Sequence, residues 1–376
     1  MDEVQGRVQA LIDDLVARDV ERGLQVAAYY KGQLIVDAWA GVADPATGRV
    51  VDGDTLFTVW SAGKGIAATV LHQQVERGRL RYDTPVAEVW PEFATHGKAE
   101  ITVAHVLTHT SGIPQIPDGV SPAELLDWDT MCRRVADLTP LWTPGTATGY
   151  HAMNYGWLVG EVVRRVDGRS FATIVREDIC APLGISSLFF GIPDAVEGRV
   201  ATLEEPAVAT PPPPPPPDVL AVNVAPPWRA PSSLWANGGA VRRAVLPSSG
   251  AIANARSLAR HYAGLVGAGV DGVRLLSPER VAEAAALRVE GVDLIFGAPI
   301  VRALGYHLGQ PYSPMSERTD VFGHAGAGGN MGFADPRYDF AFALTKNRML
   351  VVPPGEDAAY LVAREIRQAL GIPETE

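Results

Sequence analysis

The chain has 376 residues, 47% of them hydrophobic, enough for one large domain or two that share a core. Its 43 acids outnumber 32 lysines and arginines, giving a net charge of −11. No basic cluster offsets that repulsion, which argues against nucleic acid or an anionic membrane as partner. Cys132 and Cys180 are too few and too isolated for a disulfide framework or a cysteine zinc site, so both are expected as free thiols.

The opening stretch, MDEVQGRVQALIDDLVARDVERG, carries Val4, Val8, Leu11, Ile12, Leu15 and Val16 at helical spacing among acids and arginines, an amphipathic helix. It has no apolar run behind a basic start, and nowhere does the chain reach the roughly 20 apolar residues of a membrane span, so a cytoplasmic location is expected. LQVAAYYKGQLIVDAWAG then gives two β-rich runs joined at Lys31-Gly32, a hairpin pattern. KGIAATVLHQQVERG predicts a long apolar helix that begins at Ser61 and stops at Gly78, placed as a C′ glycine. From there to about residue 300, helical segments alternate with proline-rich loops. The longest of these, 206–235, contains seven consecutive prolines, Pro211 to Pro217, a stiff rod of about 3.1 Å per residue that no helix interior or sheet can use. A solvated surface spacer is expected there, while Trp228 and Trp235 leave room for an aromatic flap over a pocket. Strands return in ALGYHLG, DVFGHAGAGGNMGFADP and YDFAFALTKN, before the closing helix GEDAAYLVAREIRQALG. Strands at both ends with helices between them imply one mixed sheet built from the two termini, with a helical insertion.

Within VWSAGKG, Lys64 follows Ser61 by three positions, so on a helix its amine lies beside the serine hydroxyl. Serine becomes a nucleophile only when a base takes its proton, and an amine serves once burial or nearby cations lower its pKa. Arginine cannot do this, and the chain has 28 arginines against four lysines. With 14 serines and four lysines, chance predicts about 0.15 Ser-x-x-Lys occurrences, which favours a functional pair without deciding it. The alternative, Ser61 as an ordinary helix cap, puts a cation at the positive end of the helix dipole.

Two further stretches supply what an acyl-transfer site also needs, a proton relay and an oxyanion site. TGYHAMNYG holds Tyr150 in a loop just before a strongly helical run; FGHAGAGGNMGFADP crowds Gly326, Gly328 and Gly329 where backbone or ligand must approach closely. Alone, a tyrosine in such a loop is more often a packing residue, and the glycine cluster is equally consistent with a bulge or turn. Together, in this order, Ser61-Ala62-Gly63-Lys64, Tyr150-His151-Ala152 and His324-Ala325-Gly326 resemble the serine β-lactamase and penicillin-binding-protein superfamily, in particular its class C-like branch with the family VIII carboxylesterases. ITVAHVLTHTSGI and GYHAMNYGWLVGEVVRRVDGRS add to the likeness, which runs from about residue 20 to 370.

That resemblance implies an α/β (α+β) serine β-lactamase-like fold: an antiparallel sheet from residues 1–65 and about 300–376, flanked by helices, plus a mostly helical subdomain over about 66–299. It implies Ser61 as the acylated nucleophile, Lys64 with Tyr150 as base and proton relay, the backbone N–H groups of Ser61 and Ala327 as oxyanion hole, and His324 and Gly326 lining the substrate groove. Two departures bear on substrate. Ala152 stands where the family's motif has asparagine, and Asn154 lies two residues on. His324 replaces lysine, and a histidine with pKa about 6.5 is mostly neutral at pH 7, weakening the cation that would meet a β-lactam or peptide carboxylate. Both favour an uncharged small-molecule ester, hence a carboxylesterase. The same acyl-enzyme released by an amine or alcohol would make an acyltransferase; a β-lactamase or D-amino-acid peptidase and a non-catalytic scaffold rank below both.

Other signals carry less. His105 and His109 at i and i+4 lack the glutamate of a His-Glu-x-x-His zinc site and a third ligand, so packing histidines and no metal are expected. There is no Gly-x-Ser-x-Gly elbow, no P-loop and no Gly-x-Gly-x-x-Gly, so no cofactor is expected.

Overall fold

The computed structural model describes residues 2–205, 219–220, 222–350, 352–353 and 355–375, so the Pro211–Pro217 run lies outside the described residues. In chain order the strands are β1 (Gly23–Tyr30), β2 (Gln33–Asp44), β3 (Arg49–Val50), β4 (Phe57–Trp60), β5 (Leu188–Phe190), β6 (Ala251–Ala253), β7 (Val289–Val292), β8 (Pro299–Arg302), β9 (His307–Leu308), β10 (Phe322–Gly326), β11 (Asn330–Asp335) and β12 (Phe340–Lys346). Lys31 and Gly32, at φ 52° and 74°, make the turn between β1 and β2. Positive φ at both central residues matches the right-handed twist of the strands they join.

The main sheet is antiparallel throughout and runs β3-β2-β1-β12-β11-β10-β9-β8-β7. Its centre is the pairing of β1 with β12, Ala27 opposite Ala343, so the two ends of the chain do build one sheet flanked by helices. Alternation along the strands separates two cores. Phe340, Phe342 and Leu344 face the two terminal helices, α1 (Asp2–Ala17), through its buried Val4, Val8, Ile12 and Leu15, and Ala358–Leu370, through Val362 and Ile366. Burying each of these phenylalanines contributes roughly 1.5–3 kcal/mol. Ala341 and Ala343 point the other way with Ala27, and these small residues let the helix Ala255–Ala263, with Leu258 and Tyr262, lie close on the sheet.

Behind that helix runs α2 (Gly63–Glu76), buried along its whole length from Gly63 to Val75, packed against the helix Asn154–Asp167. A helix enclosed on every side sits in the middle of a core, which fits its apolar sequence. It ends as predicted, with Gly78 at φ 71° just past Arg77. Its start differs from the expectation: the first helical residue is Gly63, and Ser61 lies in the turn before it. A second sheet, β4-β6-β5, lies beside the α2 N-terminus. β5, β6 and β7 fall in the stretch where the sequence pattern shows helices and loops. At three or four residues each, they are too short for alternation to register. Cys132 and Cys180 are free and buried, as expected. No helix among the described residues is long and apolar enough to cross a membrane.

Candidate active site

β4 delivers Ser61 through a local distortion. The pairing of β4 with β6 shifts register between Thr58 and Trp60, and Trp60 itself adopts a left-handed φ of 53°. A bulky residue in that conformation costs on the order of 1–3 kcal/mol, and such strain persists only where surrounding structure enforces it. Here it swings the chain off the strand into a turn in which the Ala62 N–H donates to Val59 O (3.2 Å) and the Lys64 N–H to Ser61 O (2.9 Å). No side chain caps α2. The Ser61 hydroxyl is therefore not engaged as a helix cap.

It meets the Lys64 amine instead, at 3.0 Å. Lys64 is fully buried, and its Nζ also lies 2.8 Å from the carbonyl oxygens of Ala152 and of Ser248. Burial, then the nearby Arg229 and Arg302 guanidinium groups, hold the amine well below the usual lysine range. In its neutral form the amine keeps two N–H groups and one lone pair. Carbonyl oxygens only accept, so both N–H groups go to Ala152 and Ser248, and the lone pair is left to the Ser61 O–H. Ser248 is itself fixed, its hydroxyl donating to Met153 O at 2.8 Å.

Tyr150 covers this pair. Lys64 Nζ lies 4.8 Å from its ring centroid, and the His109 ring and the Phe296 ring pack on it at 4.9 Å and 5.4 Å. Burial pushes its hydroxyl well above the ordinary tyrosine range; the Ser61 hydroxyl beside it acts the other way, less strongly. Phe296 is held there by Asp293, whose Oδ1 accepts the Ile295 and Phe296 N–H groups and whose Oδ2 pairs with buried Arg302 at 2.6 Å. His109 is past the end of the helix Val103–Leu107, at φ 60°, and its Nδ1 accepts the His151 N–H. His105 is elsewhere, its Nδ1 accepting the Thr102 N–H at the start of that helix. The two do not form a ligand pair, and the described residues contain no cluster of three or more metal-ligating side chains.

On β10, His324 is buried with its ring stacked on His307 at 4.1 Å and 6.2 Å from the Tyr150 ring. Its Nδ1 is 2.7 Å from Ala325 O, which fixes the tautomer: Nδ1 donates, and Nε2 is left a bare acceptor without a partner among the described residues. Burial, then His307 and Lys64, keep it well below the usual histidine range, hence neutral. Asn154 is turned away, its amide donating to Ile113 O (3.1 Å) and Gln115 O (2.5 Å). It does not substitute for the asparagine absent at Ala152.

Gly326 closes the ring of candidates. A Cβ there would stand 2.1 Å from Val59 O and 3.1 Å from Ala62 N, so only glycine lets β10 abut the turn that carries Ser61. The next residue, Ala327, is exposed and opens a short turn, Ala327–Gly329. Gly326→Ala is therefore expected to push β10 off this turn and lower kcat about 10- to 100-fold, with a thermal melt separating that loss from unfolding. A variant that folds and keeps kcat within twofold would show that the close approach does not matter.

All six residues singled out in the sequence, Ser61, Lys64, Tyr150, His324, Gly326 and Ala327, thus lie on elements that converge at the α2 N-terminus. Ser248, His307, Arg302 and Arg229 join them without any motif to announce them, and His109, weighed in the sequence only as a zinc ligand or packing residue, packs on Tyr150. A cavity of about 820 Å³ elsewhere, lined by Tyr82, His105, Arg280 and Glu283, shares no residue with this site.

The profile of the Beta-lactamase family matches residues 8–366. The esterase/beta-lactamase LipL of Mycobacterium tuberculosis is 34% identical over 337 residues, 87% of this chain and 77% of that protein. A penicillin-binding protein homologue from Caulobacter crescentus superposes with a TM-score of 0.86 at 34% identity, and a family VIII carboxylesterase with 0.87 at 30%. Each covers 97% of both chains.

Proposed function

The chain belongs to the Beta-lactamase family, and on that premise we propose that it is a serine carboxylesterase whose Ser61 attacks the carbonyl of a small-molecule ester. The observation that carries this reading is the buried Lys64 amine, 3.0 Å from Ser61 Oγ and 2.8 Å from the Ala152 and Ser248 carbonyl oxygens, a setting that in the neutral form leaves its lone pair for the serine proton. The names borne by LipL and by the family VIII carboxylesterase agree with ester hydrolysis. As Ser61 Oγ bonds to the carbonyl carbon, its proton passes to Lys64 Nζ. The carbonyl oxygen gathers charge facing the Ser61 and Ala327 N–H groups, which stabilise it best if they are already oriented. When the ester C–O bond breaks, the departing alkoxide takes a proton from Lys64 through the Tyr150 hydroxyl, which its raised pKa keeps protonated. Water then attacks the acyl-enzyme by the reverse route, releasing the acid and free Ser61.

Two features favour an ester with no anionic group at the His324 wall over penicillins or D-alanyl peptides: His324 is neutral, and the Asn154 amide is committed to a loop. A fluorophosphonate probe read by intact mass should add once, at Ser61, and Ser61→Ala should abolish both adduct and turnover. Labelling that persists in Ser61→Ala would refute the assignment, and a preference for penicillins over short-chain esters would refute the substrate class. Supplying an amine or alcohol and comparing free acid with new amide or ester tests whether transfer replaces hydrolysis.

A further inference from the structure

Arg229 has no role in the steps above, yet it sits among the residues that perform them. It ends a short turn, Pro227–Arg229, just before the helix Ser232–Ala236. The residue is only 9% exposed, with the guanidinium 4.2 Å from the Trp235 ring centroid and 5.7 Å from that of Trp60, the residue preceding Ser61. Nη1 reaches Met153 Sδ at 3.2 Å, three residues after Tyr150, and Nε has no partner. Among the described residues no carboxylate lies within 4 Å of it. Of the described acids, the two nearest in sequence are committed elsewhere: Glu204 pairs with Arg22, and Glu205 accepts the Ser233 N–H. By contrast Arg302, the other buried guanidinium at this site, is neutralised by Asp293.

A buried cation with no counter-ion among the described residues is costly, and stacking on two indole rings and a thioether recovers only part of that cost. Burial lowers the Arg229 pKa to about 10, so the group keeps its charge at neutral pH. A planar guanidinium with unused N–H groups matches the two oxygens of a carboxylate. We propose that Arg229 is a carboxylate subsite, and that the ester attacked by Ser61 is a monoester of a dicarboxylic acid whose free carboxylate pairs with this guanidinium. The proposal rests on the esterase reading and narrows it: the scissile end is uncharged at the His324 wall, and the distal end is anionic at Arg229.

The test compares kcat/KM for ethyl hydrogen adipate and ethyl hexanoate, which share a six-carbon acyl chain and differ in the terminal carboxylate. The native protein should favour the hemiester about 10-fold or more, and Arg229→Gln should cut the ratio of the two values by about 10- to 100-fold, whatever happens to the neutral ester. Arg229→Lys should retain an intermediate ratio. The same ratio in native protein and Arg229→Gln would overturn the proposal and leave Arg229 as packing between Trp60 and Trp235. Should Arg229→Gln fail to fold, adipate added to the native protein supplies the answer. Competitive inhibition of ethyl hexanoate hydrolysis that weakens with salt supports the subsite, and no inhibition at tens of millimolar overturns it. Failure to hydrolyse either ester, with no fluorophosphonate adduct at Ser61, would instead remove the esterase reading beneath it.

Discussion

Lys64→Met is expected to lower kcat/KM for a short-chain ester about 1,000- to 10,000-fold, the upper range for loss of a general base. Methionine nearly matches lysine in length but has no basic lone pair, so Ser61 keeps its place while its proton has nowhere to go. The pH profile carries the sharper test. Lys64 is held well below the ordinary lysine range, so native activity should rise with pH as the Lys64 site loses its proton and then level off. Tyr150 is displaced upward and stays protonated across that range, so it does not produce the rising limb. Because amine, serine and phenol interact closely, the limb belongs to the set as a whole. In Lys64→Met the limb should vanish together with the rate. A variant that retains both the limb and a tenth of the native rate would assign the base to another group. A melting curve is the control, since methionine leaves the Ala152 and Ser248 carbonyls without their donor.

Acid should unfold the protein well before its carboxylates are fully protonated. His72, His151, His261 and His307 are buried, and burial pulls each from 6.5 to about 3. A base whose folded pKa is depressed leaves the unfolded chain holding more protons, so stability rises with pH between the two values. The contribution of these histidines is complete above pH 6.5 and is lost as pH falls toward 3. Each costs about 1.4 kcal/mol per pH unit in that window, so four together cost about 5 kcal/mol per unit against a typical total of about 5–15 kcal/mol. Cooperative unfolding is therefore expected between about pH 6 and pH 4. Asp167, drawn down to about 2 by Arg169, adds to the loss at the acid end, whereas Glu21, Asp335 and Asp339, raised by burial, oppose it. Denaturant midpoints measured from pH 7 to 4 would give the slope, and near-UV circular dichroism that is unchanged at pH 4 would contradict it.

Trp60 shows how a residue with no sequence signal becomes interpretable. Nothing in VWSAGKG announces a left-handed tryptophan; the conformation follows from β4 ending against β6 while α2 must start inside the core. The same turn explains why the spacing argument for Ser61 and Lys64 succeeded although Ser61 is not helical. Three residues of tight turn bring the two side chains together much as one helical turn would.

The sequence by itself determined the sheet built from both chain ends, the buried helix behind Ser61 and the order of the three motifs. These depend on periodicity and on residue types close together in the chain. Tertiary structure alone decided which groups surround them. Arg229 reaches Trp60 across 169 positions, Ser248 reaches Lys64 across 184, and His307 stacks on His324 from a neighbouring strand. No local pattern encodes such contacts, because a histidine or arginine has the same sequence appearance whether it faces water or a low-dielectric core. Burial and counter-ions set its charge, and only the packed chain provides them.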